Sequence, residues 1–216
     1  MRQQVNSKRQ NPRRQEILEA ALRTIGRRGV DGVTHRAVAE EAKVPLAATT
    51  YYFDSKYALV EEAFELIIDR SIECVRRYTT TSSNISRSEL VDRIVGFADA
   101  QISDPDAVLT AQFELMLEAG RTEYLRPLTH RWHIAYMDGF TELVRSARVP
   151  RAKAASELML TFVEGALLDH HATTPKEYLL NEYIRPLLTD LVTAWCRTYT
   201  RGQARGSAPA SSRRSR

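Results

Sequence analysis

Cysteine is nearly absent. Cys74 and Cys196 are the only two in 216 residues, they lie far apart, and they form no Cys-x-x-Cys pair. That excludes a disulfide scaffold and a thiolate metal knuckle, and it points to a reduced, cytoplasmic setting. No run approaches the roughly 18 consecutive apolar residues of a membrane helix. The stretch from Met1 to Gln15 is polar and basic and lacks the apolar core of a secretory signal. There is no Gly-x-Ser-x-Gly, no P-loop and no Gly-x-Gly-x-x-Gly. The two histidine clusters, His130-x-x-His133 and Asp169-His170-His171, lack the glutamate and the spacing of a zinc peptidase. The second suits a helix end, where the dipole favours a cation. No enzyme, cofactor or metal site is expected. Strand-like alternation and internal repeats are missing as well.

What is present is an uneven charge. The net charge of +4 hides a head, residues 1–56, with eleven Lys/Arg against six acids. The last sixteen residues add five Arg and no acid, which leaves the stretch between them at −6. A basic head on an acidic body fits a DNA-binding protein with a separate regulatory body.

Helical periodicity runs through the chain. Ile17, Leu18, Ala21, Leu22 and Ile25 share one face of a first helix, which Gly29 and Gly32 stop. Thr34 caps a short second helix with Ala37, Val38 and Ala42 inward. Lys43-Val44 turns the chain, Pro45 suits the first position of a third helix, and Ser55 caps a long fourth with Val60, Ala63, Phe64, Ile67, Ile68 and Val75 on its apolar face. Five more follow: from about Ser88, from Asp104-Pro105 to Gly120, from Tyr124 to Arg145, from Pro150 to Asp169, and from Thr174-Pro175 to Tyr199. The reading is all-α with about nine helices. It is divided into a basic flexible arm (1–12), a helix-turn-helix domain (13–54), a ligand-binding and dimerisation domain (55–201) and a disordered basic tail (202–216).

A tight turn between the second and third of three short helices is the helix-turn-helix pattern, which lays its last helix in the major groove. Small residues there let the backbone approach base edges, and Thr and Tyr add hydroxyls. The ordered set Arg14-x-x-Ile17-Leu18-x-Ala20-Ala21, Gly29, Gly32-Val33-Thr34, Val38-Ala39 and Val44…Tyr52-Phe53-x-Ser55-Lys56-x-x-Leu59 resembles the DNA-binding domain of TetR-family transcriptional regulators over roughly residues 14–60. The chain departs from the family at three places that bear on base preference: Lys43 and Ala47 stand where glycine is usual, and Thr50 where tyrosine is usual. By position, the resemblance implies that Arg36 reaches a base, guanine most naturally through its bidentate fork. It implies that Thr34, His35, Tyr52 and Lys56 hold phosphates, and that Pro45, Leu46, Ala47, Ala48, Thr50 and Tyr51 face the groove. Arg2, Lys8, Arg9, Arg13 and Arg14 are candidates for an arm along the DNA backbone. Phe53 and Leu59 read as core.

The resemblance also implies a homodimer and a pocket in the body that takes a small molecule. Candidate lining residues are Phe64, Phe97, Gln101, Phe113, Glu114, Met116, Leu117, Trp132, Tyr136, Phe140 and Phe162, with Thr161 and Glu164 as further polar candidates. So much aromatic and methionine surface against so few polar groups suits an apolar or aromatic ligand. The last helix carries an apolar face too wide for one neighbour, which places Tyr183, Leu187, Leu188, Leu191 and Trp195, with Gly165 of the preceding helix, at a dimer interface. The function so read is a repressor released from a palindromic double-stranded operator by such a ligand. Two alternatives stand beside it: a helical-bundle enzyme or cofactor-binding protein, and a DNA-binding regulator without a small-molecule ligand.

Overall fold

A computed structural model describes residues 11–103, 108–170, 173, 175 and 178–206, with backbone alone for 108, 170 and 201–206. Among the described residues the chain is helical, with nine α-helices and no strand. They are α1 (Pro12–Arg28), α2 (His35–Ala42), α3 (Leu46–Tyr52), α4 (Lys56–Thr79), α5 (Arg87–Ile102), α6 (Val108–Arg121), α7 (Arg126–Ser146), α8 (Ala152–His170) and α9 (Arg185–Gly206). A 3₁₀ turn, Glu123–Leu125, leads into α7, and a π turn, Leu179–Ile184, leads into α9. The expected helix starts at Asp104-Pro105 and at Thr174 lie outside the described residues, as do residues 1–10 of the arm and 207–216 of the tail. α9 runs on to Gly206, into the stretch expected as tail.

The ends of the helices follow from local chemistry. Asn11 accepts a hydrogen bond from the Arg13 N–H while Pro12, which has no N–H to leave unpaired, opens α1. The chain leaves α1 through Gly29 at φ 69°, ψ 174°, a conformation essentially reserved for glycine. Gly32 is needed for space, because a Cβ there would come within 2.8 Å of the Arg28 carbonyl oxygen. Thr34 caps α2 through the Ala37 N–H (3.0 Å) and Ser55 caps α4 through the Ala58 N–H (3.1 Å), as their positions predict.

The described contacts gather into two compact units. The first holds the residues up to Arg77 together with Asp99–Tyr136. Its core includes Ile17, Leu22, Ile25, Val38, Phe53, Leu59, Phe64 and Ile67, so Phe53 and Leu59 are core residues. Within it α1 packs against both α2 and α6. The second unit holds Tyr78–Ala98 and the chain from Met137 onward. Leu90, Ile94, Phe97, Phe140, Val163, Leu188 and Cys196 are buried there, and Phe97 meets Phe140 edge-on at 5.1 Å.

Candidate nucleic-acid interface

Two short helices and a locked corner make the interface. Lys43, the residue after α2, takes a left-handed conformation (φ 54°, ψ 44°). Its neighbour Val44 is buried, and the Val44 N–H donates to the Ala39 carbonyl at 2.9 Å. Thr49 is completely buried on the inner side of α3 and donates to the Leu46 carbonyl at 2.8 Å. The outer side of α3 is left open. Leu46 is 45% exposed and Tyr51 80%; Pro45, Ala47 and Thr50 are exposed, and Ala48 and Tyr52 are half-buried. The two tyrosines meet edge-on at 5.0 Å, so Tyr52 anchors the ring that Tyr51 holds out.

The flanking residues fall into place around this helix. Arg36 is exposed and makes no ion pair among the described residues, which leaves its fork available. Thr34 is exposed, its oxygen used as the α2 cap. His35 is half-buried with Nδ1 enclosed and without a partner among the described residues, so Nε2 is its nitrogen for an outside contact. The Lys56 ammonium donates to the Asp31 carbonyl at 3.2 Å, a tie between the start of α4 and the loop before α2.

Much of the positive charge of the head is spent internally. Arg23 and Arg27 both reach Glu41 at 2.8 Å, whereas Glu19 of the head is taken by Arg70 of α4 at 2.7 Å. Arg13 and Arg14, candidates for a DNA-tracking arm, belong instead to α1. Arg13 pairs with Glu16 at 2.9 Å; Arg14 pairs with Glu62 of α4 and lies 5.0 Å over the Phe53 ring. They fasten the head rather than extend from it.

The chain belongs to the TetR family. The family's N-terminal model (Bacterial regulatory proteins, tetR family) matches residues 17–63, and the tetracyclin repressor-like C-terminal domain matches residues 86–194. The nicotine-responsive transcriptional repressor HdnoR of Paenarthrobacter nicotinovorans is 25% identical over 165 residues, which are 74% of this chain and 84% of that protein. The regulator BetI of Burkholderia mallei is 26% identical across 83% of this chain and 95% of its own. Among solved structures, a TetR-family member from Streptomyces coelicolor is 28% identical, with a TM-score of 0.63 over 84% of this chain and 98% of that one. The multidrug binding protein EbrR complexed with ethidium is likewise 28% identical, with a TM-score of 0.59 over 84% and 99% of the two chains. This chain is therefore a DNA-binding transcription regulator.

The remaining candidates distribute over both units of this TetR-family chain. In the first unit, Phe64 and Trp132 are buried, and Trp132 meets Tyr136 edge-on at 4.7 Å. Gln101 donates to the Tyr136 hydroxyl at 3.1 Å. The Trp132 indole N–H is buried without an acceptor among the described residues. Phe113, Glu114 and Met116 are half-buried, while Leu117 points outward, 62% exposed. The sequence reading missed a buried pair, Ser71 donating to Gln112 at 3.3 Å. The signal was there: Gln112 interrupts the inward positions Leu115 and Ala119 of α6. A groove of about 450 Å³ opens beside these groups, lined by Arg70, Ser71, Cys74, Arg77, Ala100 and Gln101 among others.

In the second unit, Phe97 and Phe140 are wholly buried, and half-buried Phe162 stacks on Tyr183 at 6.4 Å. Burial pushes the Glu164 carboxyl up to about 7. Of the residues assigned to a dimer interface, Leu187 is 42% exposed, Gly165 faces open space and Leu191 is half-buried. Leu188 has no exposed surface, so it packs within its own protomer and is unavailable to a partner. Trp195 donates its indole N–H to the Pro150 carbonyl at 2.8 Å. Leu158 and Leu168 of α8, 43% and 60% exposed, are apolar surface that the sequence reading did not single out. No helix among the described residues is long and apolar enough to cross a membrane.

Proposed function

We propose that the protein is a homodimeric repressor that binds a palindromic operator and leaves it when a small aromatic molecule enters its body. The observation that carries the DNA half is the contrast on α3. Val44 and Thr49 are locked inward, while Leu46, Ala47, Thr50 and Tyr51, with Arg36 nearby on α2, are left to the groove. A dimer presents two such helices, and its half-sites lie about one helical turn apart.

The ligand half is supported by the Trp132 N–H. A buried donor without an acceptor costs roughly 1–3 kcal/mol, which an acceptor on a bound molecule removes. The Trp132 ring meets Tyr136, whose hydroxyl accepts from Gln101, so the fitting molecule is an aromatic ring carrying a hydrogen-bond acceptor. The relatives agree in kind: HdnoR is nicotine-responsive, and EbrR has been seen with ethidium and with malachite green. The route to DNA runs inside the first unit. α4 carries Lys56 at one end and Phe64 further along, and α6 packs on α1 with Glu114 against the Gly29 turn. A ligand that favours a shifted α4 or α6 favours a head wrongly placed for the operator.

The test is release of a labelled duplex from the DNA flanking the gene, with nicotine, ethidium and malachite green as effectors. One of them should lower operator affinity 5–150-fold, a coupling of about 1–3 kcal/mol. Trp132→Phe keeps the ring and removes the donor; it should weaken that response and leave ligand-free DNA affinity unchanged. An unaltered response would take the ligand away from Trp132.

A further inference from the structure

Four cations fall within nine residues where α7 ends and α8 begins: Arg145, Arg148, Arg151 and Lys153, with no acid among them. The segment is a held corner. The Arg148 N–H donates to the Arg145 carbonyl at 2.9 Å, the Ile85 N–H to the Ser146 carbonyl at 3.1 Å, and the Trp195 indole to the Pro150 carbonyl at 2.8 Å. The Arg151 guanidinium lies 4.7 Å over the Tyr199 ring, which joins the corner to α9 and to exposed Arg197. Beyond Asp190 the chain has six arginines and no acidic residue. Arg145 shares Glu142, whereas Arg148, Lys153 and Arg197 are exposed and make no ion pair among the described residues.

Stability of the fold does not call for this arrangement. Arg148 and Arg151 have φ of 53° and 55°, a left-handed backbone that suits glycine better than arginine. Lys153 stands in the first turn of α8, which has no acid, at the helix end where the dipole disfavours a cation.

We propose that this corner, with the C-terminal end of α9, is a second nucleic-acid surface that grips phosphate backbone without reading bases, in a different unit from the helix-turn-helix. Arginine's planar fork matches phosphate oxygens in pairs. An anionic membrane fits less well, because interfacial binding needs apolar side chains beside the cations, and here Ala147 and Val149 are buried. A regulator with such a surface can hold a second stretch of duplex besides its operator.

The test uses the full chain carrying Arg36→Ala and Lys56→Ala, which cripples the head. Its binding to a short duplex of arbitrary sequence is followed by fluorescence anisotropy across a salt series. Residual binding is expected, with log K falling by about 0.9 per phosphate engaged. Adding Arg148→Ala, Arg151→Ala, Lys153→Ala and Arg197→Ala should flatten that slope by up to about 3.6 units and reduce low-salt affinity more than tenfold. Lysine at 148, 151 and 197 should retain most of it. Should the fourfold variant lose its helical circular dichroism, Arg148→Glu with Arg197→Glu, both at exposed positions, replaces it, and the same loss is expected. Unchanged residual binding in the folded variants would overturn the proposal. So would cation-dependent capture of phosphatidylglycerol vesicles with none of the duplex.

Discussion

Lys43 is where the head of this chain bears the clearest conformational cost. A non-glycine residue in the left-handed region loses roughly 1–2 kcal/mol to the clash of its Cβ with the following carbonyl, and a glycine recovers this minus its own greater chain entropy. Lys43→Gly should therefore stabilise the protein by about 0.5–1 kcal/mol, read from urea unfolding. Gly29→Ala should do the reverse by about 1–3 kcal/mol, since its backbone is closed to a side chain and the new methyl would meet Glu114. If Lys43→Gly were neutral while Gly29→Ala unfolded the protein, the corner after α2 would be less strained than its angles indicate. Glu164 gives a pH-dependent prediction at the same scale. Its folded pKa is raised from 4.5 to about 7 by burial, so the folded state holds the proton more tightly than the unfolded chain. The penalty is absent below about pH 4.5, grows as pH rises through the interval, and is complete above about 7. Glu164→Gln should then match the parent near pH 4 and exceed it at pH 8 by up to about 3 kcal/mol. A difference independent of pH would mean that the carboxyl titrates in the fold as it does in the unfolded chain.

Among the elements, those built from strong periodicity and explicit caps were legible in the sequence. α2 and α4 start where Thr34 and Ser55 place them and α1 stops at Gly29, because capping and the glycine-only backbone are local effects, while Pro12, assigned to the arm, opens α1. The turn before α3 was legible from Pro45 and Val44 for the same reason. Faces were harder. Leu188 reads as interface by spacing and is core in fact, because the width of an apolar stripe does not say which part of it a helix of the same chain covers. Arg13 and Arg14 read as a free arm because the acids they meet, Glu16 and Glu62, are brought to them by the fold. The Ser71–Gln112 pair likewise joins residues 41 apart and needs α4 and α6 placed first. Leu187 and Leu191 of α9, exposed and half-buried, carry their own prediction. Leu187→Glu with Leu191→Glu should yield monomers by light scattering, because a dimer would have to bury the new charges unpaired. A dimer that survives would move the interface off α9.

For the whole molecule, two assignments have to hold together: a head that reads DNA through α3 and Arg36, and a body that sets whether the head is in register. The family places this chain among DNA-binding regulators, and the proposal is that its own residues, Arg36, Ala47 and Thr50 included, choose the bases. Operator binding by the parent and by Arg36→Ala, over duplexes differing one base pair at a time, is the most direct measurement of that claim. The account predicts a loss of about 1–3 kcal/mol for Arg36→Ala, with discrimination relaxed at one base pair of each half-site and kept at the others. Full affinity and unaltered discrimination in the variant would contradict it.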